Sequence, residues 1–313
     1  MEIAAPDGSG REGSSVIDSI DRVTPVVDAV MARTPDPRLR AIARALVKHA
    51  HAFAREVRLT EDEWEKGIAF LNRIGQATND RHNEAVLFSD VLGFSTLVCL
   101  LNNGDAGAAE MAAALLGPFW RAGSPRVENG GTTVRSPTPG PALFTRLRIV
   151  DPAGRPIPGV DVDVWQSSPV GLYENQDPGQ ADMNLRGTFT TDADGRVAIR
   201  SVKPAGYPVP VHGPVGDLLR AQGRHEYRPA HMHFLCRKDG FKTLVTQVFV
   251  PDDAHLHDDV VFGVTSALVG DFVRHGDGGE PAPEPGVAAP WYALDHELSM
   301  EPGESKLPEP PIR

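Results

Sequence analysis

Two histidines stand one residue apart, His231 and His233, in the run Tyr227-Arg-Pro-Ala-His-Met-His-Phe234. Upstream lie two isolated tyrosines, Tyr173 in Gly-Leu-Tyr-Glu-Asn and Tyr207 in Pro-Ala-Gly-Tyr-Pro-Val-Pro. The chain has four tyrosines, and these two fall in glycine- and proline-rich turns, not in apolar runs. On a strand, His-x-His puts both imidazoles on one face, about 7 Å apart along the backbone, with Met232 turned the other way into packing. The pair alone has a plain alternative: two surface histidines close in sequence by coincidence. The phenols shift the balance. A neutral phenol, with a pKa of about 10, is a poor ligand. A trivalent, strongly Lewis-acidic ion can displace that proton. Phenolate is hard and anionic, so Fe(III) suits this set better than Zn(II), whose usual ligands are Cys, His and carboxylate. Such an iron needs a substrate that chelates it and becomes electron-rich, and an aromatic ortho-diol does both. O2 then attacks the substrate itself.

Arg228 stands three residues before His231. A guanidinium there would stabilise carbanion-like charge on the attacked ring; the alternative is a surface arginine ahead of a strand. Gln247 alternates into an apolar strand face, and a buried glutamine needs partners whether or not it serves a site. His212 and His225 sit in nearby loops without a defined pairing. A second His-x-His, His255 and His257, lies in the acidic run Asp252-Asp-Ala-His-Leu-His-Asp-Asp259 and reads as a solvated turn. Trp165 is expected to pack in the core between the sheets.

A chain of 313 residues has ample length for a core, in one large domain or two smaller ones. The net charge is -11, with no basic stripe, which argues against nucleic acid as a partner. The two cysteines, Cys99 and Cys236, sit in apolar runs and read as free buried thiols. The first residues lack a basic and an apolar region, no apolar run is long enough to span a bilayer, and a cytoplasmic protein without membrane contact is expected.

These side chains need elements to hold them. Residues 1–20 are Gly/Ser-rich and are expected to be disordered. Residues 21–116 read as helical. From Asp36, Ile42, Leu46, Phe53 and Val57 recur at helical spacing. Thr60-Glu-Asp-Glu63 is a capping box opening a helix to about Gln76. A third helix is expected over 85–102 and a short alanine-rich one over 106–116. At Gly117-Pro118 alternation with period two takes over. Strands are expected over 143–150 and 160–165, a hairpin over 188–202 turning at Asp192-Ala-Asp-Gly195, and a strand pair over 231–237 and 243–250. Short strands without intervening helices argue for a β-sandwich over 117–275. The Pro/Gly/Glu-rich tail, 276–313, is expected to be ordered only around Trp291, as an edge strand within 290–298. The fold class is α+β: a helical N-terminal segment, then an antiparallel β-sandwich.

At these residues the chain resembles the intradiol ring-cleavage dioxygenases, over roughly residues 36–275. The resemblance is carried by Leu116-Gly-Pro-Phe-Trp-Arg121, Asp163-Val-Trp-Gln166, Gly171-Leu-Tyr-Glu-Asn-Gln-Asp177, Asp182-Met-Asn-Leu-Arg-Gly187, Val202-Lys-Pro-Ala-Gly-Tyr-Pro-Val-Pro210, Gly223-Arg-His-Glu-Tyr-Arg-Pro-Ala-His-Met-His233 and Val261-Phe-Gly263. Tyr-Pro-Val-Pro and Tyr-Glu-Asn-Gln-Asp point to its hydroxyquinol branch. The resemblance implies one Fe(III) held by Tyr173, Tyr207, His231 and His233. It implies that Tyr207 leaves the iron and helps deprotonate the diol, with Arg228 and Gln247 beside it. It implies a pocket of Leu87, Asp90, Leu115, Leu116, Gly117, Pro118, Phe119, Val209, Pro210, Arg228 and Val261. The reaction it implies is ring cleavage of hydroxyquinol (1,2,4-trihydroxybenzene) by O2 to 3-hydroxy-cis,cis-muconate, which tautomerises to maleylacetate. Asp90 is the residue expected to hydrogen-bond the third hydroxyl, its alternative role being a helix N-cap. The resemblance further implies a homodimer through the N-terminal helices, with phospholipid in an interface tunnel. Nothing is implied for either end of the chain.

Other readings stay open on the residues alone. A catechol or chlorocatechol 1,2-dioxygenase would share the iron and differ in the pocket. A cupin or extradiol oxygenase would use ferrous iron with a carboxylate beside the histidines. A non-catalytic sandwich would keep the cluster as structure only.

Overall fold

The computed structural model describes residues 16–79, 82–104, 112–276 and 278–311. The chain divides into two compact units, residues 1–70 and 71–313. Most of the stretch expected to be disordered, residues 1–15, lies outside the described residues.

The first unit is helical. Helix α1 (Ile20–Met31), within the stretch read as helical though its own bounds were not drawn from the sequence, packs against α2 (Pro37–Glu56). Arg44 of α2 grips Asp28 of α1 with Nε and Nη2 at 2.7 and 2.8 Å. Asp36 caps α2 by accepting from the Leu39 N–H, and proline occupies the first turn, where an N–H is dispensable. The capping box opens α3 (Glu61–Ala77): the Thr60 N–H donates to Glu63 and the Glu63 N–H to the Thr60 hydroxyl. Leu39, Ile42, Leu46, Phe53, Trp64 and Ile68 on these helices are exposed.

In the second unit, the single helix expected over 85–102 is two, α4 (Glu84–Val91) and α5 (Phe94–Asn103). The break falls at Gly93, whose φ of 69° no helix interior accommodates. Of the alanine-rich helix expected over 106–116, residues 106–111 lie outside the described residues, and 112–116 are not helical. Instead the Ala114 N–H donates to the Val245 carbonyl at 2.8 Å, laying this segment along a strand.

Two four-stranded sheets follow. One has the order β4 (Arg196–Val202), β1 (Ala142–Val150), β10 (Trp291–Ser299), β9 (Phe272–His275). The other has the order β3 (Arg186–Thr190), β2 (Asp161–Gln166), β7 (His231–Arg237), β8 (Leu244–Phe249). A two-stranded ribbon, β5 (Tyr207–Pro208) with β6 (Tyr227–Arg228), and helix α6 (Pro214–Ala221) complete the unit. Leu143, Leu147 and Ile149 of β1 meet Val162 and Val164 of β2 and Met232 and Phe234 of β7 in one buried cluster between the sheets.

The expected hairpin over 188–202 is not one. β3 pairs with β2 and β4 with β1, so the Asp192–Gly195 turn carries the chain from one sheet to the other. The tail strand is not an edge: β10 lies between β1 and β9 and runs parallel to β1, from Leu143 opposite Tyr292 to Val150 opposite Ser299. A strand bonded on both sides is the stable answer to a buried apolar face carrying Leu294 and Leu298. The other pairs of named strands are antiparallel. No single helix among the described residues is long and apolar enough to cross a membrane.

Candidate active site

The site grows from the outer face of the second sheet. In β7, alternation sends Met232, Phe234 and Cys236 into the core, and His231, His233 and Leu235 outward. Register places Trp165 of β2 and Gln247 of β8 abreast of His233, one on each side. Trp165 therefore does not pack between the sheets. It lies beneath the site, stacked on the His233 ring at 4.6 Å and 9°. Gly117 closes over the same ring: with φ of 74°, a Cβ there would stand 3.2 Å from His233 Cε1.

The tyrosines arrive from two other segments. Tyr207 opposes Arg228 across the β5–β6 ribbon. Tyr173 sits in the loop after β2, which turns at Gly171 so tightly against the Gly206 carbonyl that a Cβ would meet it at 2.7 Å. That approach brings the two phenols edge to face at 5.3 Å. Glu174 anchors the loop from below, accepting from Arg186 Nε at 2.7 Å and Arg121 Nη1 at 2.8 Å. Tyr173, Tyr207, His231 and His233 are all buried.

The donor atoms converge. His231 Nδ1 lies 2.7 Å from the Pro229 carbonyl, which can only accept, so Nδ1 carries the hydrogen and Nε2 the lone pair. The two Nε2 atoms are 3.0 Å apart. Two nitrogens each about 2.1 Å from one ion, roughly at right angles, would have this spacing. Burial pushes His231 down to about 3, helped by the Arg228 charge, so its ring is neutral, as a ligand must be. Burial likewise holds His233 well below the usual range, followed by the influence of His231. The Tyr173 hydroxyl has no hydrogen-bond partner among the described residues. Burial and the neighbouring Tyr207 push its phenol well above the ordinary range. An orphaned buried hydroxyl costs about 1–3 kcal/mol, and a cation at this point would offset that cost. The donor set thus fits a hard, trivalent ion. Among the described residues His233 has no hydrogen-bond partner for its second nitrogen, and stacking on Trp165 orients its ring instead.

Arg228 is braced through Nε and Nη2. Its Nε and Nη2 donate to the two oxygens of Asp259, each at 3.1 Å, and Nη2 also donates to Gln247 Oε1 at 3.0 Å. Nη1 lies 3.4 Å from His231 Nε2. Gln247 in turn donates to the Leu115 carbonyl at 2.6 Å. Burial works to lower the Arg228 pKa, and the Asp259 charge and hydrogen bond together with the two phenols outweigh it and raise it. Asp259 was not singled out from the sequence, where it closes an acidic run that reads as solvated. It is buried, and its carboxylate also accepts the Val261 and Gly263 N–H groups.

A pocket opens beside this cluster. Leu87, Asp90, Leu115, Gly117, Pro118, Phe119, Val209, Pro210, Arg228 and Val261 line it together with Tyr207. Leu116 does not; it packs behind, against the cluster of Phe119, Trp120 and Trp165. Asp90 is no N-cap: Asn83 caps α4, and Asp90 lies in its last turn, buried, with its carboxyl pushed up by burial against the opposing pull of Ser95 and Arg228. His82, Asn83 and Val86 also line the pocket and were not anticipated. His225 and His255 are drawn together with Asp258. The Tyr227 N–H donates to His225 Nδ1 at 3.0 Å, which leaves the hydrogen on Nε2, facing Asp258 at 3.2 Å. That arrangement is a hydrogen-bonded triad with no lone pair on His225 for a metal. His257 stays exposed in the turn, and the two cysteines are free.

Comparison with known proteins agrees with this architecture. Residues 115–291 match the family model described as Dioxygenase, and residues 36–110 match Catechol dioxygenase N terminus. Hydroxyquinol 1,2-dioxygenase of Rhizobium sp. (strain MTP-10005) is 42% identical over 90% of this chain and 95% of its own. An intradiol ring-cleavage dioxygenase of Aspergillus niger is 34% identical over 90% of this chain and 82% of its own. Among solved structures, hydroxyquinol 1,2-dioxygenase from Pseudomonas putida DLL-E4 superposes with a TM-score of 0.83 at 36% identity, covering 91% of this chain and 99% of that one. The chain belongs to the intradiol ring-cleavage dioxygenases.

Proposed function

We propose that this dioxygenase cleaves hydroxyquinol between its adjacent hydroxyl-bearing carbons, giving 3-hydroxy-cis,cis-muconate (maleylacetate), with one Fe(III) per subunit held by Tyr173, Tyr207, His231 and His233. The observation that carries the reading is the convergence of two neutral imidazoles and two buried phenols, one of them Tyr207 in the wall, beside a pocket whose lining is apolar apart from a few groups, Asp90 and Arg228 among them. A ferric ion bound there would supply the Lewis acidity that makes the diol reactive toward O2. The protein's own groups do the rest. Tyr207, lining the pocket and neighbouring Arg228, is the base for a diol proton. Arg228, held rigidly by Asp259 and Gln247, places positive charge where ring charge develops. Gln247 ties that guanidinium to the pocket wall at Leu115. Leu87, Phe119, Val209, Pro210 and Val261 keep water from the ring. Asp90 serves the third hydroxyl.

The exposed apolar faces of α2 and α3 support a homodimer through the N-terminal helices, with phospholipid as a ligand of that interface, and the family setting supports a cytoplasmic enzyme. The test of the central reading is a visible spectrum of the purified protein before and after anaerobic hydroxyquinol. A broad phenolate-to-iron band that moves to longer wavelength with substrate is expected. A colourless protein that contains iron would sink the ligand assignment. A band that moves with catechol and not with hydroxyquinol would move the assignment to catechol.

A further inference from the structure

His82 occupies the wall shared by the inner pocket and a shallower hollow outside it, where Arg121, Gln176 and His212 also lie. Its ring is held. Nε2 faces Glu84 Oε2 within hydrogen-bond distance, and a carboxylate accepts, so Nε2 carries the hydrogen. Glu84 cannot swing away. It is wholly buried, its Oε1 accepts the Val215 N–H at 2.8 Å, and its own N–H donates to the Thr78 hydroxyl at 3.2 Å. A Cβ on Gly213 would stand 2.3 Å from the same Oε1, so the carboxylate fills the space beneath α6. The remaining polar atom of the ring, Nδ1, makes no hydrogen bond among the described residues, and the ring's side chain is 15% exposed. Among the other polar groups that line the pocket, Arg228 is bound to Asp259 and Gln247, and Asn83 uses its carbonyl oxygen to cap α4. Asp90 and His82 Nδ1 are among the atoms the pocket offers a polar ring substituent.

We propose that His82, oriented by Glu84, is a specificity-determining residue that hydrogen-bonds the third ring hydroxyl through Nδ1. The inference rests on the reading of the substrate as a trihydroxylated ring. The hydroxyl gives its one hydrogen to the Nδ1 lone pair of His82, and its oxygen can accept from Asp90 when that carboxyl carries a proton. A hydrogen, chlorine or methyl at that carbon can do neither, and its entry would strand both polar groups.

The experiment compares kcat/KM, by O2 uptake, for hydroxyquinol and catechol in the wild type, His82→Phe and His82→Gln. Phenylalanine keeps the ring's bulk and removes both the Nδ1 acceptor and the partner of Glu84, so its catechol rate reports the cost of the latter; glutamine restores a polar partner. For His82→Phe the hydroxyquinol value should fall about three- to tenfold, the loss of one hydrogen bond. The catechol value should hold within about twofold by the same principle, since catechol has no third hydroxyl, and His82→Gln should recover part of the hydroxyquinol loss. Catechol turnover in each variant doubles as the check that the site is assembled. Equal loss on both substrates, or loss of all activity in both variants, would make His82 a structural residue and overturn the inference. A wild type that prefers hydroxyquinol, with the preference unchanged in His82→Phe, would overturn it while leaving the proposed function standing. A wild type that turns over catechol and not hydroxyquinol would remove both.

Discussion

Asp259→Asn is the sharpest test of how the site is built, because the geometry leaves an amide no good orientation. Each carboxylate oxygen of Asp259 accepts two hydrogen bonds, one from Arg228 and one from the backbone: Oδ1 from Arg228 Nε and the Val261 N–H, Oδ2 from Arg228 Nη2 and the Gly263 N–H. All four partners are donors. Whichever way an asparagine side chain turns, its NH2 group faces one guanidinium donor and one backbone donor, and two bonds are lost with the charge. Arg228 and Asp259 side chains are only 4% and 2% exposed, so solvent cannot take over. One bond to a charged group and one backbone bond together amount to roughly 3 kcal/mol. For a unit of this size that corresponds to a fall in Tm of about 6–12 °C. The second consequence is chemical. Arg228 keeps its charge and loses its brace, so kcat/KM for hydroxyquinol should drop by about tenfold or more through misplacement alone. Calorimetry of the iron-loaded protein and O2-uptake kinetics read the two effects separately. A variant with Tm within about 2 °C of wild type and undiminished kcat/KM would refute the claim that Asp259 holds the guanidinium in place. A double-mutant cycle with Arg228→Gln gives a further check: the two losses should not add, and strict additivity would mean that the pair is uncoupled.

Three other expectations follow from the same structure. Asp90→Ala should lower kcat/KM for hydroxyquinol more than for catechol, and equal losses in the two assays would remove Asp90 from substrate recognition. Gly117→Ala strains a φ of 74° and drives a methyl against His233 Cε1 at 3.2 Å, so metal analysis of the purified variant should find substoichiometric iron and a weakened visible band. Burial raises the Asp163 carboxyl above its ordinary range, against the Trp120 Nε1–H that donates to it at 2.9 Å. A folded pKa raised above the unfolded one means the native state binds more protons, so this group's contribution to stability falls as pH rises through that window. Asp163→Asn, which can still accept from Trp120, should therefore gain in Tm relative to wild type at pH 7 and show no gain at about pH 3, below both pKa values; a loss at pH 7 would contradict the sign.

Much of the site was legible because strand alternation is a local rule. His-x-His fixes its own face, and the proline- and glycine-rich settings of Tyr173 and Tyr207 mark turns that bring side chains together from a distance. The capping box at Thr60 and the strands around Leu143, Val162 and His231 are equally local. What stayed hidden depends on partners far along the chain. Asp259 looks like one more acid in a solvated run until Arg228 is placed against it, and Glu84 and His82 acquire meaning only with Val215 and the pocket in view. The turn at Asp192–Gly195 has the same residues whether its strands share a sheet or change sheets. Trp165 and Val164 alternate correctly, but alternation does not say which face is the core when both are buried. The strand at Trp291 was undervalued because the Pro/Gly/Glu-rich stretch before it dilutes its pattern. Gly93, permissive inside a long apolar run, concealed the break between α4 and α5.

The central position of β10 has a consequence for how the chain comes to its native state. Arg146 on β1 is bridged to Asp295 on β10 across 149 residues of sequence. Closing so large a loop carries an entropic cost that grows with its length, and long-range pairings of this kind slow folding. The strands that carry Trp165, His231, His233 and Gln247 are joined by much shorter stretches and belong to the other sheet. On the ribosome, the sheet that bears the chemistry can therefore be assembled while β1 still waits with one edge bare, because the strand that fills that edge is made after every strand of the other sheet.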